Sequence, residues 1–476
     1  MRASGRPLLA VALLLFASAA AAQTQRDILF IAIDDLNDWV GVLGGHPQTK
    51  TPNIDALAAR GLVFTNAHTP APLCNAARTA ILTGLRPSTS GIYRNSPDWR
   101  TVARFDGLPT LPRFFRDHGY RTLGAGKIFH AHTFGVTGLT GYNDLSAWDG
   151  FFPSPERQLP DELQPLVKPA NDNPGYIGFD WAPLVATDSA MGDGQTTEWI
   201  ARQLVAETGS PRFVAAGIYR PHLPWYVPQK YFDMHPLDEI ELPPSLASDY
   251  DDIPAAMQDD GFMNARTIHD WVLETDKWRA AVQGYLASIS FADAMVGRLL
   301  DALEQSGRAD DTIIVLWGDH GFHLGEKLRW RKSTLWEEAT RVPFIIVAPG
   351  VTEPGSSSSR PVSTFDLYPT LAELAGLPVP DHVEGRSLVP LLADPSHDWP
   401  YPALTTYNFD NHSLRTERYR YTRYADGSEE LYDHATDPNE WTNLAGDPAY
   451  AGLIESLVEW LPAENAPDLF QPGPRP

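Results

Sequence analysis

The 476-residue sequence predicts an α/β fold in which helices cover both faces of a large, mostly parallel central sheet. Continuous apolar runs at residues 27–33 and 312–317 are typical of strands that are buried on both faces. Helical segments alternate with such runs along the chain, as a parallel sheet requires. After about residue 398, short aromatic runs indicate a small C-terminal subdomain with an antiparallel sheet.

The first 22 residues have the composition of a secretory signal peptide. Two arginines precede an apolar run from Leu8 to Phe16, and three alanines end the segment. The run is too short for a stable membrane span. We therefore expect an exported protein, periplasmic or secreted. Its large α/β domain is predicted to cover residues 23–397, and its C-terminal subdomain residues 398–476.

The composition is strongly acidic, with a formal net charge of -23, and the chain contains one cysteine. An acidic field repels nucleic acid and anionic membranes, so we expect neither among the partners of this protein. A single cysteine cannot form an internal disulfide, and stability must therefore come from an ordinary hydrophobic core.

Two adjacent carboxylates, Asp34 and Asp35, follow the first predicted strand. Open α/β sheets bind their ligands at the carboxyl ends of their strands. Like charges this close repel each other unless a cation binds them. The alternative interpretation is a helix N-cap with a solvated neighbour.

A second apolar strand, residues 312–317, is followed by Asp319 and His320. If both strands lie in one sheet, their ends contribute three carboxylates and an imidazole from two distant segments. Such a set predicts one divalent cation. Oxygen ligands suit Ca²⁺ or Mg²⁺, although a neutral histidine is a less usual ligand for either.

The stretch from Pro72 to Gly84 contains the only cysteine, Cys74. It is predicted to turn into a helix that carries Cys74 in its first turn, where unpaired backbone N–H groups favour negative charge. Arg78 lies four residues on, on the same face, and adds a cation. The pattern predicts an anion-binding corner. The alternative is a lone buried cysteine that acts as a small hydrophobic residue.

In this stretch Cys74-x-Ala76-x-Arg78 is followed by Leu82-Thr83-Gly84. The pattern resembles the signature of the sulfatases. In that family a maturation enzyme oxidises the motif cysteine to formylglycine. The commonest pattern has proline where this chain has Ala76, which leaves open the maturation system that reads the motif. Asp34-Asp35-Leu36 also resembles the metal-binding pair of the family.

Three further segments resemble sulfatase motifs in family order. Lys127 and His130 match residues that hold sulfate and formylglycine, and their spacing is closer to the iduronate-2-sulfatase branch. His222, between two prolines, matches a candidate acid, and Lys332 matches a lysine that contacts sulfate. Without the family, surface lysines and structural histidines would be the simpler interpretation.

The resemblance implies a formylglycine-dependent sulfatase that needs one divalent metal, expected to be Ca²⁺. The implied metal ligands are Asp34, Asp35, Cys74, Asp319 and His320. The matured Cys74 would attack sulfur. The implied roles of the other catalytic residues are charge stabilisation by Arg78, Lys127 and Lys332, protonation of the leaving oxygen by His222, and assistance in regeneration by His130.

The expected substrate is a sulfated oligosaccharide or polysaccharide that carries a 2-O-sulfated uronate. Trp99 and Trp225 would offer flat faces to a sugar ring, while Arg100 or Arg104 would pair with the uronate carboxylate. Alternatively, both tryptophans pack in the core and both arginines are solvated. Two other functions stay open: a phosphodiesterase or phosphonate hydrolase of the same superfamily, and a non-catalytic sugar-binding protein with an unmodified Cys74.

Overall fold

The computed structural model describes residues 25–131, 141–174, 178–258 and 265–470. The predicted signal peptide lies outside the described residues and stays a prediction. Within the described ranges, no helix combines the length and the apolar character that a membrane span requires.

The strands and helices alternate through most of the chain, as the sequence predicts. In chain order the strands are β1 (Asp27–Ile33), β2 (Leu62–Phe64), β3 (Ala67–His68), β4 (Arg121–Gly126), β5 (Gly150–Phe152), β6 (Trp181–Leu184), β7 (Arg212–Ile218), β8 (Trp225–Pro228), β9 (Thr312–Gly318), β10 (His323–Leu324), β11 (Trp330–Arg331), β12 (Phe344–Val347), β13 (Ser356–Ser358), β14 (Val362–Ser363), β15 (Ala403–Thr406), β16 (His412–Arg415), β17 (Tyr419–Arg423) and β18 (Glu429–Asp433). The helices are α1 (Pro52–Ala58), α2 (Cys74–Thr83), α3 (Pro87–Ser90), α4 (Leu111–Asp117), α5 (Gly192–Val205), α6 (Gln229–Asp233), α7 (Ala255–Gln258), α8 (Ala265–Glu274), α9 (Trp278–Gln305), α10 (Glu337–Thr340), α11 (Leu367–Leu374), α12 (Val389–Ala393) and α13 (Ala451–Val458).

The central sheet has the strand order β13-β2-β12-β9-β1-β7-β4-β5 in the described chain. Strand β1 lies between β7 and β9 and pairs with both in parallel. Strand β4 continues the parallel arrangement beyond β7. Strand β12 runs antiparallel to its two neighbours, β9 and β2. The prediction of a mostly parallel sheet is therefore confirmed.

Alternate residues of β1 enter separate cores on the two faces of the sheet, as the two-residue period of a strand requires. Leu29, Ile31 and Ile33 pack with residues of α1, α5 and α9. Ile28, Phe30 and Ala32 pack on the other face with residues of α2, α4 and α11. Helices thus cover both faces, and β1 is apolar throughout because each of its faces is buried.

Two segments have a form that their local sequence does not reveal. The run from Leu62 to His68 contains two strands, β2 and β3, rather than one. Strand β2 joins the central sheet, whereas β3 pairs with β14. The described part of the region 232–265 contains helix α7 and a short 3-10 helix, Leu237–Glu239. Both elements are too short for sequence periodicity to reveal them.

The C-terminal region forms the predicted antiparallel sheet, in the order β15-β16-β17-β18. Helix α13 contributes Leu457 to the core of this sheet, where it packs with Leu414, Tyr421 and Leu431. The sheet also contacts the large domain, because the Thr405 hydroxyl donates to the Thr69 carbonyl at 2.6 Å. The boundary at residue 398 stays a prediction.

Candidate active site

The carboxyl ends of four adjacent strands bring the predicted polar residues to one edge of the central sheet. Strands β9, β1, β7 and β4 are neighbours and run in parallel. Asp319 follows β9, Asp34 and Asp35 follow β1, His222 follows β7, and Lys127 follows β4. The site therefore lies where open α/β sheets bind their ligands.

Cys74 is the first residue of helix α2 and is fully buried. The residue before it, Leu73, has no side-chain oxygen that can cap the helix. Asn95 provides the cap instead, because its Oδ1 accepts the N–H of Asn75 at 3.0 Å. Gly84 ends the helix with a φ of 75°, which glycine adopts at no steric cost. The predicted turn and helix are both present.

The Cys74 sulfur lies among groups that come from four other segments. Lys332 Nζ donates to Sγ at 3.2 Å, and His320 Nε2 also lies 3.2 Å from Sγ. His130 and His222 each form a side-chain hydrogen bond with Cys74. The structure thus brings four other predicted site residues to the sulfur atom of Cys74.

Arg78 connects the two acidic strand ends. Its Nε donates to Asp319 Oδ2 at 2.8 Å, and its Nη2 donates to Asp34 Oδ1 at 3.1 Å. Its Nη1 donates to the carbonyl oxygens of Lys127 and Ile128. The guanidinium is completely buried, so these bonds keep a charged group satisfied inside the protein.

Two buried lysines pair with the other carboxylate oxygens. Lys127 Nζ forms an ion pair with Asp34, and Lys332 Nζ forms one with Asp35. Both ion pairs are almost completely excluded from solvent. A dry site strengthens electrostatic interactions, so cations arranged in this way can stabilise developing negative charge strongly.

The donor atoms of the site form two groups whose members lie within 4.8 Å of one another: Asp34, Asp35, Cys74 and His222 in the first, and Cys74, Asp319 and His320 in the second. Across the two groups three carboxylates supply oxygen donors, and hard divalent cations prefer oxygen. Burial raises the pKa of Asp34 well above its ordinary value, although Lys127 opposes that shift. A bound cation would offset the cost of burying this carboxylate. The residues therefore fit one divalent cation.

The electrostatics of the corner favour a negative group at Cys74. Burial alone would raise the pKa of its thiol, but Lys127, Lys332 and His320 outweigh burial and lower this pKa well below its ordinary value. The N-terminus of α2 acts in the same direction. Positive charge therefore surrounds Cys74, and the binding of an anion at this corner stays a prediction.

His222 has a defined orientation. Its Nδ1 lies 2.6 Å from the Leu223 carbonyl oxygen, which can only accept, so Nδ1 carries a hydrogen. Its Nε2 lies 3.9 Å from Asp35 Oδ2. Burial lowers the pKa of His222 to about 4. The ring is thus neutral in the free protein, and negative charge nearby favours its protonation.

Sequence reasoning missed several residues that support the site. The Tyr285 hydroxyl donates to the Asp35 carbonyl at 2.8 Å and accepts the Asn37 N–H at 3.1 Å. Asp35 itself has a φ of 57°, in the left-handed region that costs energy for residues other than glycine. A tyrosine within an amphipathic helix resembles any core residue, so no sequence signal marks Tyr285.

The two tryptophans pack in the core. Trp99 is 7% exposed, stacks on Phe129 and donates its indole N–H to the Tyr142 carbonyl at 2.7 Å. Trp225 is completely buried. Arg100 is partly exposed and forms an ion pair with Asp98. These contacts favour the packing alternative for the tryptophans and leave the predicted substrate contact of Arg100 a prediction.

Comparison with known proteins agrees with this fold and site. The model of the sulfatase family matches residues 26–377, and the model named "N-sulphoglucosamine sulphohydrolase, C-terminal" matches residues 325–466. The chain belongs to the sulfatase family. The sequence resemblance, drawn from the motif around Cys74, is thereby confirmed.

Individual relatives cover most of the chain. It is 40% identical to a "Sulfatase" of Formosa agariphila over 92% of this chain and 87% of that protein. It is 29% identical to the iduronate 2-sulfatase of Mus musculus over 90% of this chain and 93% of that protein. The solved structure of a 2-O GAG sulfatase has the same fold, with a TM-score of 0.69 and 24% identity over 91% of this chain and 90% of that chain.

Proposed function

We propose that this protein hydrolyses a sulfate ester of a saccharide by means of formylglycine formed from Cys74. The observation that carries this proposal is the placement of Sγ, 3.2 Å from both Lys332 Nζ and His320 Nε2, at the N-terminus of α2. Membership of the sulfatase family supports the reaction class. An anionic ester would find cations, helix N–H groups and a proton donor at a single corner.

The roles of the residues follow from their contacts. The hydrate of the formylglycine aldehyde at position 74 would supply one hydroxyl as the nucleophile. Its second hydroxyl would then lose its proton as sulfate is expelled and the aldehyde re-forms. Arg78, Lys127 and Lys332 neutralise the charge of the sulfate oxygens. His222 gains a proton at Nε2 once an anionic ester lies beside it, and delivers that proton to the leaving oxygen. His130, hydrogen-bonded to residue 74, assists the regeneration of the aldehyde.

A divalent cation completes the proposed site. Asp34, Asp35, Asp319 and His320 would hold it together with residue 74, and we propose Ca²⁺ because three of these residues are carboxylates. A bound metal would supply Lewis-acid stabilisation and a template for the sulfate group.

For the substrate, we propose a 2-O-sulfated uronate within a sulfated oligosaccharide or polysaccharide. The name of the mouse relative, an iduronate 2-sulfatase, supports this choice, as does the spacing of Lys127 and His130. The contact between Arg100 and the uronate carboxylate is part of this proposal. Export to the periplasm or the medium, and maturation by a separate enzyme, also belong to it.

One experiment tests the reaction and the substrate together. The parent, Cys74→Ala and Arg100→Ala are produced with a maturation enzyme and assayed for sulfate release from oligosaccharides that differ only in sulfate position. We expect the parent to prefer the 2-O-sulfated uronate, Arg100→Ala to lose that preference, and Cys74→Ala to be inactive. Peptide mass spectrometry of the active parent should detect an aldehyde at residue 74.

The alternatives give different results in the same assay. Turnover of phosphonate or phosphate diesters in preference to sulfate esters would identify a phosphonate hydrolase or phosphodiesterase. Saccharide binding without any turnover, and with an intact thiol, would identify a binding protein. Preference for 6-O-sulfated hexosamine would reject the uronate while leaving the sulfatase reaction in place.

A further inference from the structure

A carboxylate from a separate helix holds the start of the loop that carries His222. Asp193 is the second residue of α5. Its Oδ1 accepts the N–H of Tyr219 at 2.7 Å, and its Oδ2 accepts the N–H of Arg220 at 2.9 Å. The side chain is buried. Each carboxylate oxygen therefore satisfies one backbone donor at the point where β7 ends.

The composition of this loop makes these two bonds important. Pro221 and Pro224 have no N–H, so the loop has few backbone donors with which to anchor itself. The His222 N–H donates to the Tyr219 carbonyl at 2.9 Å, which is a bond inside the loop. Asp193 anchors the same residues to α5, outside the loop. Together with the bond from the Trp225 indole N–H to the Pro221 carbonyl, this carboxylate therefore fixes the position of the His222 backbone.

The orientation of the His222 ring depends in turn on its backbone. Nδ1 bonds to the carbonyl of the next residue, Leu223, so the ring turns with the local chain. Nε2 is then directed towards the site, 3.9 Å from Asp35 Oδ2. A shift of the chain at Tyr219 would move Nε2 away from the oxygen that it has to protonate, and proton transfer requires hydrogen-bond distance.

We infer that Asp193 is a positioning residue for the proton transfer by His222, an inference that rests on the proposed function. Asp193 acts through the N–H groups of Tyr219 and Arg220. The Arg220 guanidinium adds to this arrangement, because its Nη2 lies 3.7 Å from Glu162 Oε2 in a buried environment. Loss of the Asp193 carboxylate should therefore impair leaving-group protonation more than sulfate binding.

Two esters whose leaving groups differ in basicity distinguish a positioning role of Asp193 from general damage to the active site. A sugar alkoxide is a basic leaving group and needs a proton, whereas 4-nitrophenolate is weakly basic and needs little protonation. Asp193→Asn replaces one acceptor by an NH₂ group that faces a backbone N–H. We expect it to lower kcat roughly 10- to 100-fold on the sulfated saccharide, at or below the roughly 100- to 10,000-fold that a complete general acid contributes. The loss on 4-nitrophenyl sulfate should be below about 3-fold, with KM for both esters nearly unchanged.

Asp293→Asn is the matched control. Asp293 is also a buried aspartate whose carboxylate accepts two backbone N–H groups from another element, those of Asn53 and Ile54. The Asp293→Asn variant should have a lower melting temperature, while the ratio of its activities on the two esters stays at the parent value. Asp193→Ser, which keeps one acceptor, replaces Asp193→Asn if the latter melts below the assay temperature.

A double variant provides the second measurement. His222→Gln removes the proton donor, so adding Asp193→Asn to it should cost less than about 3-fold more on the saccharide. If the parent releases sulfate, equal losses of kcat on both esters in Asp193→Asn would overturn the positioning role. Fully additive losses of kcat in the double variant would overturn it as well. A parent that hydrolyses neither ester would overturn the proposed function itself.

Discussion

The backbone N–H of Asp35 donates to Oδ1 of Asp319 at 3.0 Å, and this bond joins the ends of two neighbouring strands. The same oxygen accepts the N–H of His320, also at 3.0 Å. The other oxygen of Asp319 accepts from Arg78 at 2.8 Å. One carboxylate therefore helps to hold Asp35 in its left-handed conformation, His320 beside the sulfur, and Arg78 between the acidic groups.

Asp319→Ala should remove both the metal and the activity. The variant loses one candidate ligand and, with it, the contacts that orient Asp35, His320 and Arg78. Because even residues that only support metal ligands contribute about 10- to 100-fold, we expect turnover to fall by at least about 100-fold. Metal analysis of the purified protein checks the expected loss of the divalent ion. The exposed Asp310→Ala is the control, and normal metal content in Asp319→Ala would show that the metal lies elsewhere.

Lys332→Ala should reduce turnover strongly without preventing folding. Its Nζ contacts both Asp35 and the sulfur of Cys74, so the variant removes a cation from the reacting centre. We expect a loss of kcat of roughly 100- to 1,000-fold, the range found for a single donor that stabilises developing charge. Steady-state kinetics measure the loss, and the exposed Lys168→Ala serves as the control. A variant with full activity would exclude Lys332 from the site.

Arg420→Met should destabilise the contact between the C-terminal sheet and the large domain. The buried Arg420 forms ion pairs with Glu337 of α10 and with Glu440. Removing it takes one ion-pair partner from each buried carboxylate, and breaking a buried pair in this way costs about 3–5 kcal/mol. Urea denaturation measures the free energy of unfolding. Arg418→Ala, whose ion pair with Asp433 is solvent-exposed on the arginine side, should cost much less. Equal losses in the free energy of unfolding of the two variants would contradict this account.

Glu440 should make stability depend on pH in the acid range. Burial alone would raise its pKa, but Arg420 and His434 outweigh burial and lower the pKa from 4.5 to about 2. Because the pKa is lower in the folded state, the stabilisation is complete above about pH 4.5 and is lost as the pH falls towards 2. The melting temperature of the parent should fall as the pH is lowered across this window. Glu440→Gln should be less stable than the parent at neutral pH, and its melting temperature should fall less as the pH is lowered. A melting-temperature curve parallel to that of the parent would refute the role of Glu440.

Much of the fold follows from local patterns in the sequence. Apolar runs that are buried on both faces predicted β1 and β9, and the spacing of Cys74 and Arg78 predicted their shared helix face. The acidic residues after the two strands predicted a shared ligand-binding edge. Such predictions succeed because strand and helix periodicity are properties of a few consecutive residues.

Other features of the site depend on residues that are far apart in the chain. Asn95 caps the helix of Cys74 from 20 residues away, and Tyr285 binds the Asp35 carbonyl from 250 residues away. Trp99 occupies the core, although its sequence context equally permits an exposed sugar-binding face.

The sequence by itself determined most of the elements, the mostly parallel character of the sheet, and the chemical groups at the strand ends. Only the tertiary structure decided which of these groups meet, as when Lys332 and His320 approach Cys74 from 258 and 246 residues away. It also decided that Asp193 holds the His222 loop. The reason is physical: periodicity records which face of an element is buried, whereas contact between distant residues depends on how all the elements pack together.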